Sequence, residues 1–489
     1  MRLTATDIYH LHQPSTCELR VYLKHRSEPE AEPSEYDKVL QELGARHERN
    51  HLSSLGAFED ISAGTLEERA EKTRLAVALE GAVLYQPVLV TRFTLGGQDC
   101  EIFGIPDFLI PDGEGHLIRD TKISRHADEE HHYETVLQLN LYGWLFEQAF
   151  GKQPTALQVV LGDGSVQPIT YDGGASALGN LQKILEVKLK TAEPYEPVGW
   201  SKCNSCGYFE RCWKRADETD SLSRLYGVDE PLARQLWSQG IKTVEELLAK
   251  FDVTALSEFK KPWGKKLQRV GKRSEEILLH ASAIKTQKIQ ILKKPAVPTS
   301  PNLVVFDIEG LPPHLDELDK IYLWGLQVFG NSPEPARMAV ANFGPDGDRQ
   351  GWADFLSHCS EIFVKYGDIP FLHWHQYERV NVQRYVTRFG DPDGVAERVL
   401  KNLRDLLPIT KDSLVLPTPS YSLKLVEKFA GFKRQLDEGG GQWAMANYIK
   451  AVETANENLR RRLMDKIIAY NREDLEGTWA VFEWLRYLS

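Results

Sequence analysis

The segment EIFGIPDFLIPDGEGHLIRDTKIS (101–124) reads as two strands joined by a turn at PDGEG. Gly, Pro and Asp supply the backbone angles that such a reversal needs. With the centre of the turn just after Gly113, Asp107 and Asp120 are equidistant from it and lie opposite each other across the hairpin. Side chains alternate along a strand, so Lys122 shares a face with Asp120. The sequence therefore predicts that two carboxylates and one ammonium group converge.

This combination of groups has a definite chemical use. Two carboxylates can hold a divalent metal ion, which polarises a phosphodiester and lowers the pKa of a bound water. A nearby ammonium group stabilises the negative charge that develops on the phosphoryl oxygens. These groups are the minimal equipment of a metal-dependent nuclease. The alternative is a solvated hairpin face with a salt bridge, and the spacing alone leaves both interpretations open.

The motifs around the hairpin are Pro106-Asp107, Asp120-Thr121-Lys122, QLNLYGW with Gln138 and Tyr142, and an upstream LGARHE with His47. They resemble the core of PD-(D/E)xK nucleases of the RecB-like type. The resemblance implies a Mg²⁺ or Mn²⁺ site whose ligands are His47, Asp107, Asp120 and the Thr121 carbonyl oxygen. It also implies that Lys122 is catalytic and that Gln138 and Tyr142 position the lysine or DNA. Taken alone, His47 could be a helix-surface histidine and Glu48 an exposed helix charge, and Glu48 receives no role.

The chain has six cysteines, too few for a disulfide scaffold, and three of them fall in KCNSCGYFERC. With a lone N-terminal cysteine they make four thiols, the full ligand set of an iron–sulfur cluster or a structural zinc. These four are Cys17, Cys203, Cys206 and Cys212. The pattern resembles the cluster of iron–sulfur RecB-like nucleases, which favours 4Fe-4S over zinc and implies a tie between the first helix and the domain end. Free reduced cysteines are the remaining alternative, and Cys100 and Cys359 read as ordinary buried thiols.

The stretch LYGVDEPLARQLWSQGIKTVEELLA (225–249) predicts two short helices around a turn at Gly240, with Thr243 as an N-cap. It resembles a helix-hairpin-helix module, which binds phosphate without reading sequence; a purely structural helical spacer is the alternative. Residues 259–294 contain eleven Lys or Arg against two Glu, a net charge of +9. Such a tract can attract phosphates, although a solvated linker helix would carry similar charge.

A second acidic site is predicted in the C-terminal part. NLVVFDIEG (302–310) is an apolar strand that ends in two acids on one face, and YNREDLEGTWAVFEWL places a tyrosine and an acid four residues apart on one face of a helix. Between them, FLHWHQYERV gives a strand end followed by another acid. Four carboxylates from three segments fit a two-metal phosphodiesterase site. They are Asp307, Glu309, Glu378 and Asp474, and the tyrosine is Tyr470.

The order of these motifs resembles a DEDD-type exonuclease on an RNase H-like fold, in its tyrosine-bearing form. By this resemblance Tyr470 orients the attacking water and Asp474 completes the metal set. The family has Asp where this chain has Glu378, so the two differ at the second motif. Asp405 is a further acid between the motifs, which could contribute or simply begin a helix.

The chain divides at KKPAVPTSP (293–301), which has three prolines in nine residues, and after the cysteine cluster near residue 215. We expect a first unit (1–215), a middle unit (216–290), a linker (291–300) and a third unit (301–489). Predicted helices lie at 35–54, 65–80, 133–150, 176–191 and 460–487, and predicted strands lie within 85–124 and 156–171 and at 302–309, 319–329, 336–343 and 369–374. Both large units are therefore mixed α/β, and the third is a sheet sandwiched by helices.

The whole chain has 489 residues and a net charge of −11, which argues against a nucleic-acid binder only if the charge is evenly spread. No apolar run reaches the ~18 residues of a membrane span, and the N-terminus has no signal-peptide pattern, so we expect a soluble, cytoplasmic protein. There is no G-x-x-x-x-G-K-[ST] motif, so any unwinding of DNA needs a separate helicase.

Across nearly its whole length the chain resembles a family of predicted bacterial RecB-like nucleases. The resemblance implies a PD-(D/E)xK restriction-endonuclease-like domain and an RNase H-like α/β domain, joined by a small helical domain. The expected function is hydrolysis of DNA phosphodiester bonds with Mg²⁺ or Mn²⁺, as an exonuclease on single-stranded or end-bearing DNA in repair, recombination or defence. The alternatives are that only the C-terminal site acts, on RNA or DNA 3′ ends, or that the chain is a non-catalytic DNA-binding scaffold.

Overall fold

The computed structural model describes residues 1–79, 81–113, 115–196, 198–264, 266–311, 320–344, 346–436 and 440–489. Four residues that fall within predicted elements or the basic tract lie outside these ranges: Glu80, Glu114, Lys265 and Asp319. Within the described ranges, no helix combines the length and the apolar character that crossing a membrane requires.

The first unit contains two sheets flanked by helices. The larger sheet has the strand order β2-β3-β6-β7-β8-β9, and the smaller has the order β1-β5-β4. Its elements are β1 (Arg2–Thr4), α1 (Ala5–His12), α2 (Glu18–His25), α3 (Glu35–Ser54), β2 (Phe58–Asp60), α4 (Leu66–Ala78), β3 (Val83–Tyr85), β4 (Leu89–Leu95), β5 (Gln98–Gly104), β6 (Phe108–Asp112), β7 (Gly115–Thr121), α5 (Tyr133–Phe150), β8 (Leu157–Val160), β9 (Val166–Ile169), α6 (Ala175–Leu189), α7 (Trp200–Cys203) and α8 (Phe209–Glu218).

The hairpin of β6 and β7 has the register that the sequence predicts. Phe108 pairs with Arg119, so the preceding Asp107 falls opposite Asp120. Strand β8 then adds parallel to β7, as a crossover through a helix requires. That helix is α5, whose apolar face packs on the sheet and which ends where Gly151 adopts a left-handed conformation, with φ of 68°. The carboxyl end of β7 is therefore held at the centre of a six-stranded sheet.

The middle unit is helical except for one hairpin. Thr243 caps the helix Val244–Lys250 with a full capping box, as the sequence predicts. Part of the basic tract forms a hairpin rather than a linker helix, because Pro262 disfavours a helix and Gly264 takes a positive φ of 56° at the turn. The elements are a 3₁₀ turn (Leu222–Arg224), α9 (Glu230–Ser238), α10 (Val244–Lys250), α11 (Val253–Glu258), β10 (Lys260–Trp263), β11 (Lys266–Arg269), α12 (Arg273–Thr286) and β12 (Gln290–Ile291).

The third unit is a five-stranded sheet with the order β15-β14-β13-β16-β17, in which β13 is antiparallel to β14 and parallel to β16. Its elements are β13 (Asn302–Leu311), β14 (Lys320–Gly330), β15 (Arg337–Val340), α13 (Asp348–Tyr366), β16 (Phe371–His373), α14 (Tyr377–Phe389), α15 (Val395–Asn402), β17 (Leu403–Asp405), α16 (Leu406–Ser413), β18 (Leu414–Val415), α17 (Leu423–Val426), α18 (Gly441–Glu453) and α19 (Glu457–Leu488).

The start of the expected linker is hydrogen-bonded to the third unit. Gln290 pairs with Val415 and Ile291 with Leu414, so β12 and β18 form a small antiparallel sheet. The backbone N–H of Leu292 then donates to the carbonyl oxygen of Ser413 at 2.8 Å. The proline-containing segment therefore begins after a strand that is already attached to the third unit.

Helix α3 of the first unit packs on the third unit. Its buried Tyr36, Val39 and Leu43 belong to the same apolar cluster as side chains of β14, α18 and α19. Two ion pairs flank this contact, Arg46 with Glu453 and Lys450 with Glu35, each at 2.7 Å. The same helix carries His47 and Glu48 at its other end, so it connects the third unit to the first acidic site.

Candidate active sites

In the first unit, the end of β7 gathers Asp107, Asp120 and Lys122. The backbone N–H and the hydroxyl of Thr121 both donate to Oδ2 of Asp107 at 2.7 Å. The N–H of Asp107 donates to Oδ1 of Asp120 at 2.9 Å, and Nζ of Lys122 donates to Oδ2 of Asp120 at 2.8 Å. The two carboxylates and the ammonium group therefore form one hydrogen-bonded unit.

The charges of this unit perturb one another. Burial, and then repulsion by Asp120, raises the pKa of Asp107 to about 8. Burial acts to lower the pKa of Lys122, but attraction to the Asp120 and Asp107 carboxylates outweighs it and raises this pKa above its usual range. The lysine is therefore charged at neutral pH, while burial and the Asp120 charge favour the protonated form of Asp107.

Glu48 also faces this unit, although its sequence context suggested only an exposed helix charge. Its Oε1 accepts a hydrogen bond from Nε2 of Gln86 at 2.9 Å, and its charge acts on both Asp107 and Lys122. Gln86 in turn donates its backbone N–H to the carbonyl oxygen of Asp107. A third carboxylate thus comes from α3, and the sequence signal for it was its position directly after His47.

The other residues predicted for this site are His47, Gln138 and Tyr142. Nε2 of His47 lies 3.4 Å from the carbonyl oxygen of Val160, the residue of β8 that pairs with Thr121. Gln138 donates to the carbonyl oxygen of Ala5 at 3.3 Å, so its amide is directed to α1. Tyr142 is buried, and burial followed by the charges of Asp120 and Asp107 raises its pKa well above the usual value. The charges of the two carboxylates therefore act on Tyr142, whereas the amide of Gln138 contacts α1.

In the third unit, the structure gathers Asp307, Glu309 and Asp474. One carboxylate oxygen from each lies within 4.8 Å of the other two, and among the described residues this is the sole group of three or more His, Cys, Asp or Glu ligand atoms so arranged. Asp307 and Glu309 share a face of β13, and a register shift follows Glu309. Burial and the neighbouring carboxylates raise the pKa values of both well above their usual range.

Asn471 holds one member of this cluster in place. Its Nδ2 donates to Oδ2 of Asp307 at 2.6 Å. The contact needs Gly325 on the adjacent strand β14, because a Cβ there would lie 1.9 Å from the amide oxygen of Asn471. Asn471 lies three residues before Asp474 in α19, so helical spacing was an available signal that it faces the acids, although no role was predicted for it.

Glu378 lies in the first turn of α14, close enough to Asp307 for its charge to raise the pKa of that residue. Its Oε2 is 3.3 Å from Nδ1 of His373, and both side chains are buried. Asp405 has a different role, because its Oδ1 accepts the backbone N–H groups of His375 and Leu407 and so caps α16. The helix-capping interpretation of Asp405 thus describes its contacts.

Tyr470 is buried beside the same acids. Burial, followed by the charges of Asp474, Glu309 and Asp307, raises its pKa far above its usual range, so its hydroxyl keeps its proton. Arg434 donates to both oxygens of Glu427, at 2.7 and 2.9 Å, and to Oδ1 of Asp474. The arginine therefore balances part of the acidic charge.

A cavity of about 630 Å³ opens beside these groups. Its cationic lining residues are Lys424, Lys428, Lys433 and Arg434. Trp200 from α7 of the first unit also lines it. Glu427 and Glu473 also line the cavity, and Arg434, which donates to Asp474, connects its wall to the acidic cluster.

The four cysteines of the predicted cluster lie in one neighbourhood. The charges of Cys203 and Cys206 act on the pKa of Cys17, and burial followed by Cys212 and Cys206 raises the pKa of Cys203 to about 12. However, no three cysteine sulfurs in the described part of the chain lie within 4.8 Å of one another. The described cysteine sulfurs are therefore not gathered at a single point.

Hydrogen bonds, rather than sulfurs, connect these two segments. The backbone N–H of Ala31 donates to the carbonyl oxygen of Gly207 at 2.9 Å. The hydroxyl of Tyr208 donates to the carbonyl oxygen of Glu28 at 3.1 Å. The segment after α2 is therefore fixed to the cysteine-containing loop by direct contacts.

Comparisons with known proteins agree with this division into two sites. Residues 10–213 match the PD-(D/E)XK nuclease superfamily, and residues 304–486 match the RNase_H superfamily. No curated protein matches the sequence. A solved structure titled "Crystal structure of SSO0001" is 16% identical over 42% of this chain and 83% of that chain, with a TM-score of 0.24, too low to support a conclusion. The predicted α/β fold class with these two domains is confirmed, and the two nuclease-type domains indicate that the chain is, in general terms, a hydrolytic nuclease acting on nucleic acid.

Proposed function

We propose that the chain is a metal-dependent nuclease with two active sites, which hydrolyses phosphodiester bonds of DNA as an exonuclease on single-stranded or end-bearing substrates. The main support is the convergence of Asp307, Glu309 and Asp474 on one point. Three carboxylates this close repel one another, and a divalent cation would relieve that repulsion. Carboxylate oxygens are also the ligands that Mg²⁺ and Mn²⁺ prefer.

In the third unit, Asp307, Glu309 and Asp474 would hold the metal, with Glu378 completing the set. Bound divalent ions would stabilise the attacking and leaving oxygens of the phosphodiester. Tyr470 keeps its proton because its pKa is raised, so its hydroxyl can hold the attacking water in line. Asn471 fixes the orientation of Asp307 and is a positioning residue.

In the first unit, Asp107, Asp120 and the Thr121 carbonyl oxygen would bind the metal. We add Glu48 to this set, because its charge acts on Asp107 whereas His47 lies against a backbone carbonyl. Lys122 stays charged and is placed to stabilise negative charge on the phosphoryl oxygens.

The test uses labelled single-stranded DNA, duplex DNA and RNA with Mn²⁺, and compares wild type with Lys122→Ala, Asp307→Asn and the double variant. We expect each single variant to lose one class of products, and the double variant to lose all cleavage. Lys214→Ala and Asp412→Asn are matched controls, because both side chains are exposed and lie outside the two acidic clusters. Cleavage that survives in the double variant would show that at least one of the two assignments is wrong.

One observation favours a second candidate, in which only the third-unit site is active. The carboxylates of that site are gathered within 4.8 Å, whereas Asp107 and Asp120 do not form such a group with any third ligand in the described residues. Under this alternative, Lys122→Ala leaves every product unchanged and Asp307→Asn abolishes cleavage. The same experiment therefore separates the two candidates.

We also propose a 4Fe-4S cluster at Cys17, Cys203, Cys206 and Cys212. The support is that four thiols from two distant segments of the chain act on one another's pKa values, and four thiols are a full ligand set for such a cluster; a structural zinc is the alternative. Iron and acid-labile sulfide should be present in anaerobically purified protein and should be lost in Cys17→Ala. Cys100→Ala is the control, because that cysteine is buried away from the group. Stoichiometric zinc without iron would contradict the proposal.

The domain boundaries, a DNA-binding turn and a helicase partner are also part of the proposed function. We propose that residues 1–215 and 301–489 are the two catalytic domains, and that the turn between α9 and α10 contacts the DNA backbone as a helix-hairpin-helix would. The sequence has no P-loop, so a separate helicase would supply duplex unwinding in repair, recombination or defence. Limited proteolysis tests the domain boundaries, with the expected cut between 293 and 301.

A further inference from the structure

The hairpin of β10 and β11 packs against α9 at Lys261 and extends from there into solvent. Of its described strand residues, only Lys261 is buried. That lysine anchors the hairpin, because it pairs with Asp229, the residue that caps α9. The backbone N–H of Val270 also donates to the carbonyl oxygen of Phe259 at 2.9 Å and closes the base of the hairpin. The remainder of the ribbon is thus held out from the core at a fixed position.

Two large apolar side chains lie on this ribbon. Trp263 is 64% exposed and Leu267 is 67% exposed. Trp263 pairs with Lys266 next to the turn, whereas Leu267 pairs with Pro262 and points to the opposite face. Nζ of Lys261 lies 5.7 Å from the centre of the Trp263 ring. The exposed remainder of the indole offers a flat aromatic surface, which is the kind of surface on which nucleobases stack.

The charge of the ribbon is complementary to phosphate. Residues 260–273 contain seven Lys or Arg and no Asp or Glu, although the whole chain has a net charge of −11. Lys260 and Lys266 form no ion pair with any residue that the structure describes, whereas Arg269 pairs with Glu258 at 3.0 Å. Lys266 therefore lies beside Trp263 on the same face and Lys260 on the opposite face, both without a protein counter-charge, and the phosphates on either side of a stacked base would supply one.

We propose that this ribbon binds single-stranded DNA, with one unpaired base stacked on Trp263 and the neighbouring phosphates contacting Lys260 and Lys266. A single strand fits better than a duplex, because a duplex conceals the faces of its internal bases. The inference rests on the proposed nuclease function only for the identity of the substrate. It assigns to the ribbon the capture of an unpaired segment that the catalytic domains then cut.

The test measures fluorescence anisotropy of a labelled oligonucleotide in EDTA, where no cleavage occurs, for wild type, Trp263→Ala and Trp263→Phe. We expect Trp263→Ala to weaken single-strand binding at least about tenfold, and Trp263→Phe to retain most of the affinity. In Lys260→Ala/Lys266→Ala, the slope of log affinity against log salt should become shallower by about 1.4. A 2-aminopurine base in the strand should be quenched by wild type and by Trp263→Phe, but not by Trp263→Ala.

Tyr487→Ala is the matched control, because Tyr487 is 87% exposed at the end of another element. Binding by Trp263→Ala within twofold of wild type, or an equal loss on a blunt duplex, would overturn the inference. If wild type cuts no substrate while Trp263→Ala still loses binding, the nuclease proposal fails and the inference stands. If wild type cuts and Trp263→Ala binds normally, the inference alone fails.

Discussion

Gly325 leaves room for Asn471 to reach Asp307 at the third-unit site. We predict that Gly325→Ala lowers cleavage at this site about 10- to 100-fold, because the new Cβ would lie 1.9 Å from the amide oxygen of Asn471 and displace it. Loss of a partner that orients a metal ligand has that magnitude. The measurement is the cleavage rate in a Lys122→Ala background, which silences the first site.

A double variant tests whether Gly325 acts through Asn471. Gly325→Ala/Asn471→Ala should be no slower than Asn471→Ala alone, because both changes remove the same hydrogen bond. Gly179→Ala is the control, since a Cβ at that helical glycine meets nothing within 4 Å. Additive losses in the double variant would show that Gly325 acts in some other way.

The raised pKa of Asp107 predicts that the stability of the metal-free protein depends on pH. Burial and Asp120 raise its pKa from 3.8 to about 8, so between these pH values the folded state binds one more proton than the unfolded state. Raising the pH through this window therefore lowers the free energy of unfolding. In urea titrations in EDTA, Asp107→Asn should gain stability relative to wild type from pH 5 to pH 9. Parallel curves for the two proteins would contradict the prediction.

At the scale of elements, sequence patterns predict the bounds of several helices and strands, but not those of α1, α2, α13 or α18. Helix α3 was expected at 35–54 and spans Glu35–Ser54, because Ser34 caps it and its apolar residues recur at helical spacing. The hairpin of β10 and β11 was missed, since a ribbon with two exposed faces has no alternating apolar pattern. Its Pro262 and Gly264 were the available signal.

The acidic sites also show which contacts a local sequence pattern can predict and which it cannot. Asp307 with Glu309, and Tyr470 with Asp474, have local spacings that place each pair on one face, and such spacings can be recognised in a sequence. Glu48 and Arg434 reach the acids from elements far away along the chain. No local spacing reports such a contact, because it depends on how the elements pack.

Helix α3 packs the first unit against the third unit. Leu43 is buried in the cluster that α3 shares with the third unit, so Leu43→Ala should lower the free energy of unfolding by about 2–5 kcal/mol. Lys450→Ala should change it little, because the ion pair of Lys450 with Glu35 is exposed to solvent. Urea denaturation of both variants measures the contrast. Equal losses would mean that the ion pairs, rather than the apolar contact, hold the helix in place.

At the scale of the whole molecule, His280 connects the middle unit to the third. Its Nδ1 accepts the backbone N–H of Tyr226 at 3.1 Å, so Nε2 must carry the proton and donates it to the carbonyl oxygen of Thr418 at 2.7 Å. The side chain is 1% exposed, and burial lowers its pKa to about 4. Protonation would remove the acceptor that Tyr226 needs, so this connection requires the neutral imidazole.

We predict that acid weakens this connection and so lowers the stability of the protein. Between pH 6.5 and pH 4 the unfolded chain binds one more proton at His280 than the folded chain, so the free energy of unfolding falls as the pH falls. The loss from pH 7 to pH 5 should be roughly 2 kcal/mol, at about 1.4 kcal/mol per pH unit below 6.5. His280→Gln keeps one donor and one acceptor but cannot titrate, so it should lack this part of the loss. Urea titrations of both proteins at pH 7 and pH 5 measure the difference, and an equal acid loss in His280→Gln would assign the effect to other groups.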